Sequence, residues 1–309
     1  QGGTDNWGQL QKIVASDRAS NDFFGLTVAI AGDYIVVGAY FEDEDASGAN
    51  TLSNAGSVYV FQKDQGGTDN WGQIKKIVAS DRASYDYFGI SVAIAGDYIV
   101  VGAYNEDEDA SGGNTLSLAG SAYVFQKDQG GTDNWGQIKK IVASDRGTSD
   151  VFGYSVAIAG DYIVVGAPYE DHDASGGGTT RYQAGSAYVF QKDQGGTDNW
   201  GQIKKIVASD RAGYDYFGYS VAIAGDYMVV GAYQEEEDAS GGNTLNDAGS
   251  AYVYKKDQGG TDNWGQIKKI VASDRASYDY FGISVAIAGD YIVVGAYQED
   301  EDASGGNTL

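Results

Sequence analysis

The stretch SVAIAGDYIVVGA, residues 91–103, decides the fold. It contains two apolar runs, rich in Val, Ile and Ala, on either side of Gly96-Asp97. Short β-branched runs bounded by Gly and Asp are typical of β-strands, and the Gly-Asp pair between them predicts a tight hairpin. The second run, residues 98–103, is apolar almost without alternation, which indicates a strand that is buried on both faces.

The hairpin recurs because the chain is a tandem repeat. The motif QGGTDNWGQ starts at Gln1, Gln65, Gln129, Gln194 and Gln258, so its spacings are 64, 64, 65 and 64 residues. Internal repeats of this kind define the architecture before any local feature does. We expect one repeat domain over 1–309, with repeats at 1–64, 65–128, 129–193, 194–257 and 258–309, the last of which lacks its third strand.

Each repeat supplies four strands. Besides the first hairpin, SAYVFQ at 121–126 and WGQIKKIV at 135–142 are joined by a Gly-rich loop and predict a second hairpin. No segment carries apolar residues at helical spacing over ten residues or more. The sequence therefore predicts an all-β fold of antiparallel four-stranded units. A unit of about 64 residues suits a β-propeller blade better than a solenoid coil. The five copies form a five-bladed ring, or part of a larger propeller or array.

Composition excludes several partner classes. The net charge of −24 repels nucleic acid and anionic membranes. No apolar run approaches the ~20 residues of a membrane-spanning helix, so we expect no membrane insertion. The chain has no cysteine, which excludes a disulfide framework but is compatible with an extracellular location.

The segments FFGLTVAIAGDYIVVGAY at 23–40 and YFGISVAIAGDYIVVGAY at 87–104 resemble FG-GAP repeats, the blades of integrin-α-type β-propellers. The resemblance implies a propeller fold and a place among adhesion receptors, secreted lectin-like proteins or bacterial surface proteins. The turn at Gly96-Asp97 is too short for the calcium loop that better-known members carry there. The Phe-Gly pairs are Phe24-Gly25, Phe88-Gly89, Phe152-Gly153, Phe217-Gly218 and Phe281-Gly282, and the full Gly-Ala-Pro ending occurs once, at Gly166-Ala167-Pro168.

A long acidic loop follows the second strand of each repeat and is the candidate calcium site. Asp107-x-Asp109-x-Ser111-Gly112 places oxygen ligands at alternate positions before a glycine, as a calcium loop begins. The twelfth position is Leu118 rather than a bidentate Glu, which predicts modest affinity at best. The alternative is a solvated loop that keeps the protein soluble. The candidate ligands are Asp43, Asp45, Ser47, Asp107, Asp109, Ser111, Asp171, Asp173, Ser175, Glu236, Asp238, Ser240, Asp300, Asp302 and Ser304.

Three other features have two interpretations each. An Asp-Arg pair precedes each Phe-Gly, as at Asp81-Arg82. It forms either a repeated ion pair or ligand contact, or only the hydrogen bonds that stabilise a turn. The tryptophans stack on sugars or pack against a neighbouring hairpin; they are Trp7, Trp71, Trp135, Trp200 and Trp264. His172, the single histidine, is expected to be a surface substitution.

The two ends of the sequence predict incomplete sheets. Residues Trp7 to Ala15 are expected to form a lone fourth strand, and Ser284 to Ala296 a lone first and second strand. Either the chain is a window on a longer array, or a neighbouring molecule donates the strand that is missing. The second alternative predicts self-association through an open blade.

The copies are nearly identical, whereas catalysis needs different residues at one point. No catalytic or zinc constellation can be assembled from the sequence, so we expect no enzymatic activity. Uniform copies suit multivalent binding or scaffolding. The sequence favours an extracellular or cell-surface structural or adhesive protein that forms filaments or arrays. The alternative is a secreted lectin-like propeller that binds glycans at one shallow site per blade.

Overall fold

A computed structural model describes residues 8–175 and 180–300, and these residues form 18 β-strands and no helix. None of them therefore belongs to a helix that could cross a membrane. The strands are β1 Val28–Ala31, β2 Tyr34–Ala39, β3 Ser57–Gln62, β4 Gly72–Ile77, β5 Ser91–Ala95, β6 Tyr98–Ala103, β7 Ser121–Gln126, β8 Gly136–Ile141, β9 Ser155–Ala159, β10 Tyr162–Ala167, β11 Ser186–Gln191, β12 Gly201–Ile206, β13 Ser220–Ala224, β14 Tyr227–Ala232, β15 Ser250–Lys255, β16 Gly265–Ile270, β17 Ser284–Ala288 and β18 Tyr291–Gly295.

The strands form five antiparallel sheets in chain order, which we call blades 1 to 5. Blades 1 to 4 have four strands each, β1–β4, β5–β8, β9–β12 and β13–β16, and blade 5 is the pair β17–β18. Both predicted hairpins are present in blades 1 to 4. The fourth strand of each of these blades comes from the sequence repeat that follows it. The predicted all-β, propeller-like arrangement of five repeats is confirmed.

The second strand of each blade is central, and this explains its unbroken apolar run. In blade 2, β6 pairs with β5 on one side and with β7 on the other. Ile99, Val100 and Val101 are all fully buried, because successive side chains point to opposite faces and both faces are covered by neighbouring blades. Val100 packs with Ile158 and Ile163 of blade 3, and Val101 packs with Val36 of blade 1.

The Phe-Gly pair connects consecutive blades. Phe88 is fully buried against Tyr123 of its own blade, with ring centroids 5.5 Å apart. Its backbone forms an isolated parallel bridge with Gly56 of blade 1. The carbonyl oxygen of Gly89 accepts a hydrogen bond of 2.9 Å from the hydroxyl of Thr27, also in blade 1. The motif therefore fastens one blade to the next.

The blades approach most closely at a glycine of the second strand. A Cβ atom on Gly102 would lie 1.9 Å from the carbonyl oxygen of Gly153 in blade 3 and 2.3 Å from the hydroxyl of Ser91. The backbone of a neighbouring blade cannot move aside without opening the junction between the blades.

We therefore expect Gly102→Ala to destabilise the protein by about 2–3 kcal/mol, the upper range for overpacking a filled interior. The measurement is the midpoint of guanidinium-induced unfolding. Gly113→Ala is the matched control, because its added Cβ would meet only the Ser111 hydroxyl, at 3.9 Å. Equal midpoints for the two variants would contradict the close approach.

The prediction of a lone fourth strand over Trp7 to Ala15 is wrong for residues 8–15, the part that the structure describes. Residues 8–15 have no strand conformation, because no third strand lies beside them among the described residues. They still pack on blade 1, where Ala15 is buried with Tyr59 and Phe61. Trp7 lies outside the described residues. The lone first and second strands expected in the last repeat are confirmed as β17 and β18.

Candidate functional site

A buried charge network lies in each of blades 1 to 4. In blade 2, the ammonium of Lys140 on β8 lies 2.8 Å from Asp81 Oδ2 and 2.9 Å from Glu106 Oε1. Asp81 belongs to the segment that leaves blade 1, and Glu106 follows β6. The hydroxyl of Ser121 donates a hydrogen bond of 2.5 Å to the second oxygen of Glu106. The equivalent networks are Lys76 with Asp17 and Glu42, Lys205 with Asp145 and Glu170, and Lys269 with Asp210 and Glu235.

Three of these networks include a cluster of three carboxylates. Asp81, Glu106 and Glu108 offer oxygens that all lie within 4.8 Å of one another. Such a cluster has the chemistry of a cation site. Here the Lys140 ammonium provides the positive charge, so the cluster functions in this structure as a buried ion pair. The same holds for Asp17, Glu42 and Glu44 beside Lys76, and for Asp210, Glu235 and Glu237 beside Lys269.

The predicted calcium ligands of the acidic loop are not the carboxylates of this cluster. Asp109 Oδ1 accepts hydrogen bonds from the backbone N–H of Ser111 at 2.8 Å, from the Ser111 hydroxyl at 2.6 Å and from the Gly113 N–H at 3.1 Å. Asn114 donates to its second oxygen. The Ser111 hydroxyl bond, aided by the backbone bonds, holds the pKa of Asp109 well below its usual range. Asp107 Oδ1 accepts from the Leu118 N–H at 2.8 Å. In this structure both carboxylates accept hydrogen bonds from their own loop.

The remaining candidates repeat this arrangement where they are described. Asp45 with Ser47 and Asp238 with Ser240 match Asp109 with Ser111, as does Asp173 with Ser175. Asp43 and Asp171 match Asp107. Glu236 keeps the backbone contacts of that position. Asp300 is exposed, and Asp302 and Ser304 lie outside the described residues.

The Asp-Arg segment does not form an internal ion pair in blade 2. Asp81 pairs with Lys140 instead. Arg82 donates to two carbonyl oxygens of the acidic loop of blade 1, those of Asp43 at 2.8 Å and Asn50 at 3.0 Å. The segment thus ties the acidic loop of blade 1 to the next blade. His172 is half-exposed, with Nδ1 3.2 Å from Glu170 Oε1.

Three of the four described tryptophans, Trp135, Trp200 and Trp264, are buried, and Trp71 is half-buried. Trp135, just before β8, is 1% exposed and meets the Tyr34 ring of blade 1 edge-on, with centroids 5.3 Å apart. The Tyr34 hydroxyl donates a 2.8 Å hydrogen bond to Asp133, and the Lys127 ammonium lies 5.0 Å from the Tyr34 ring centroid. We call Lys127, Asp133 and Trp135 a tyrosine socket. Equivalent sockets are Lys192, Asp198 and Trp200 around Tyr98, and Lys256, Asp262 and Trp264 around Tyr162.

A row of aromatic rings crosses all five blades, and the sequence reasoning missed it. Consecutive ring centroids lie between 4.5 Å and 6.0 Å apart. The available signal was an aromatic residue just before Phe-Gly and another after Gly-Ala in four of the five copies; the third has Val151 and Pro168 there, and Tyr154, after its Phe-Gly, continues the row. The row runs through Phe23, Tyr40, Tyr87, Tyr104, Tyr154, Tyr219, Tyr233, Tyr280 and Tyr297.

Comparison with known families identifies the repeats. The FG-GAP repeat matches five times, at residues 7–61, 71–125, 135–190, 200–254 and 264–308. The chain therefore belongs to the FG-GAP repeat family. Each match begins at the tryptophan of its copy and, in the first four copies, ends in the third strand. The second, third and fourth matches therefore join the fourth strand of one blade to the first three strands of the next.

Other comparisons add little. No curated protein matches the chain. Among solved structures, the crystal structure of the computationally designed Ika4 protein matches with a TM-score of 0.37 and 9% identity, over 67% of this chain and 84% of that one. The computationally designed Ika8 protein matches with a TM-score of 0.40 and 11% identity, over 88% of this chain and 68% of that one. At these values neither likeness bears on function.

Proposed function

We propose that the protein is a non-enzymatic structural or adhesive repeat protein, extracellular or on the cell surface, that associates into filaments or arrays. The observation that carries this proposal is the pair of open faces at the two ends of the described array. Both faces have the chemistry of a surface that the inner blades bury. Membership of the FG-GAP family supports the location, because such repeats are typical of extracellular and surface proteins.

The outer face of blade 1 is the first of these surfaces. Ile30 is 66% exposed, whereas the equivalent Ile94, in blade 2, is 8% exposed because it packs on blade 1. At the other end, Val293 of blade 5 is 68% exposed, whereas the equivalent Val36 is fully buried against blade 2. Contiguous exposed apolar surface of this kind marks an interaction site. The exposed face of blade 1 is equivalent to a face that blade 2 packs against blade 1, and the exposed face of blade 5 is equivalent to the face of blade 1 that covers it.

Electron microscopy and light scattering of the purified chain test the proposal. We expect rows or filaments with a regular axial repeat and a mass that rises with protein concentration. Isolated particles of 32.6 kDa at every concentration would overturn the proposed self-association.

The acidic loops are the proposed site for calcium. Because the Asp109 oxygens already accept loop hydrogen bonds, we expect binding only in the range of about 0.1–1 mM that weak extracellular sites show. Thermal unfolding in 5 mM calcium against a chelator is the measurement, with a raised transition temperature expected. Asp109→Asn combined with Asp45→Asn and Asp238→Asn should reduce that rise. Identical curves for the parent chain with calcium and with chelator would contradict the assignment.

Carbohydrate binding is the second candidate function, and the aromatic row is the observation that favours it. Tyr85 lies beside the row, with its ring centroid 6.5 Å from that of Tyr87, and is 51% exposed, so its ring is available to the apolar face of a sugar. A glycan array with the parent chain and with Tyr85→Ala tests this function. Binding by the parent alone would support it.

A further inference from the structure

The tyrosine sockets explain how one blade recognises the next. Each socket lies on the hairpin between the third and fourth strands of a blade, and it receives the first tyrosine of the second strand from the preceding blade. Tyr34 enters the socket of blade 2, Tyr98 that of blade 3 and Tyr162 that of blade 4. An edge-on aromatic contact, a hydrogen bond to a carboxylate and a lysine over the ring act together.

Blade 1 carries a fourth socket with the same three residues. Lys63 and Asp69 are 3.7 Å apart, as in an ion pair, and Trp71 precedes β4. The part of the chain that the structure describes places no tyrosine on this socket. The Asp69 side chain is 70% exposed, compared with 29% for Asp133. Trp71 is half-buried, whereas the other described tryptophans are buried.

Blade 5 presents the matching tyrosine. Tyr291 begins β18, as Tyr34, Tyr98 and Tyr162 begin the second strands of blades 1 to 3. It is 79% exposed, and Val293, two residues further on the same face, is 68% exposed. This is the face that blades 1 to 4 turn toward the following blade.

We propose that a second copy of this chain docks head to tail, with Tyr291 of one copy in the Lys63–Asp69–Trp71 socket of the next. This inference rests on the self-association proposed above and names its interface. Val293 then covers Ile30 of the second copy, in the way that Val36 and Ile94 pack within one chain. The two surfaces are different, so the contact is heterologous, and it extends into an open row when the rotation from one copy to the next does not close a ring.

A backbone contact of the inner junctions fits the same arrangement. Ser220 at the start of β13 donates a 2.8 Å hydrogen bond to the carbonyl oxygen of Gly282 in blade 5. Ser284 begins β17 in the equivalent position. In the docked pair it faces the carbonyl oxygen of Gly25 in the next copy, as Thr27 faces Gly89 within one chain.

Two variants and their mixture test the proposal. Tyr291→Ala removes the inserted ring and keeps the socket, whereas Trp71→Ala removes the socket wall and keeps the ring. Sedimentation velocity is expected to show oligomers for the parent chain and an association constant at least about tenfold lower for each variant alone. An equimolar mixture has one intact pair of surfaces and should form a heterodimer of about twice the 32.6 kDa chain mass.

Controls separate folding from assembly. Tyr182→Ala removes another exposed ring, 57% accessible and far from either end face in sequence, and should assemble as the parent does. Asp69→Ala alters only an exposed side chain, so it weakens association without disturbing the fold and substitutes for Trp71→Ala if that variant unfolds.

The outcomes distinguish this inference from the function on which it rests. If the parent assembles and both end variants assemble equally well, the interface is wrong while self-association stands. If the variants alone and their mixture all remain monomeric beside an assembling parent, the pairing of these two surfaces is overturned. A parent chain that remains monomeric throughout overturns both.

Discussion

Lys140→Met is expected to lower the free energy of unfolding by about 3–5 kcal/mol, the usual effect of removing one partner from a buried ion pair. The substitution leaves Asp81 and Glu106 side by side with no cation between them. Glu106 is 3% exposed, so water cannot replace the lost ammonium. Guanidinium unfolding followed by tryptophan fluorescence is the measurement, since Trp135 lies in the same blade.

The chain offers a matched control for this variant. Lys12 holds the equivalent sequence position in the first copy, yet it is exposed. Lys12→Met should therefore leave the unfolding midpoint within the range of an ordinary surface change, about 0.5 kcal/mol. Adding Glu106→Gln to Lys140→Met should restore part of the loss, because it removes one uncompensated charge. A Lys140→Met midpoint equal to that of Lys12→Met would show that the network contributes no stability.

Stability is also expected to fall as the pH rises from about 4 to 8. Burial, together with a nearby glutamate, raises the pKa of Asp86 and Asp150 to about 7 and that of Asp215 to about 8. An acid with a raised pKa in the folded state stays protonated after the unfolded chain has ionised. Its contribution is therefore complete below pH 4 and is lost as the pH rises to 7 or 8. Each of these acids is therefore expected to contribute stability on the order of a few kcal/mol below pH 4.

Asp215→Asn isolates this effect. The amide oxygen can still accept the 2.6 Å hydrogen bond from the Ala212 N–H, but the side chain no longer ionises. We expect this variant to lose less stability than the parent between pH 5 and pH 8, as measured by the thermal transition temperature. Asp97→Asn, in the exposed β5–β6 turn, should follow the parent curve. A parent transition that rises with pH over this interval would contradict the protonated state of these groups.

The strands could be predicted because their signals are local. Gly96-Asp97 defines the first hairpin and the apolar run at 98–103 defines a central strand, whatever the neighbours are. The segment 8–15 shows the limit of such signals. It has the sequence of a fourth strand, but a strand also needs an adjacent partner, and the described residues supply none there.

The site was harder to predict because its contacts join residues that are distant in sequence. Asp107 and Asp109 match the spacing of a calcium loop, but the clustered carboxylates are Glu106 and Glu108, one position out of step. The lysine that neutralises them, Lys140, lies 34 residues after Glu106 in a different strand. The sockets join residues about 100 positions apart, such as Tyr34 and Asp133. Only the order of the blades brings such residues together.

The hairpin that carries the fourth strand of each blade across a repeat boundary has a consequence for how such a gene can change. Since each inner copy of about 64 residues ends one blade and begins the next, recombination between equivalent points of two adjacent copies adds or removes one complete blade. The crossover need not fall at a domain boundary, and each new junction inherits its lysine network and tyrosine socket. Array length can therefore vary between relatives while the contact between adjacent blades stays the same.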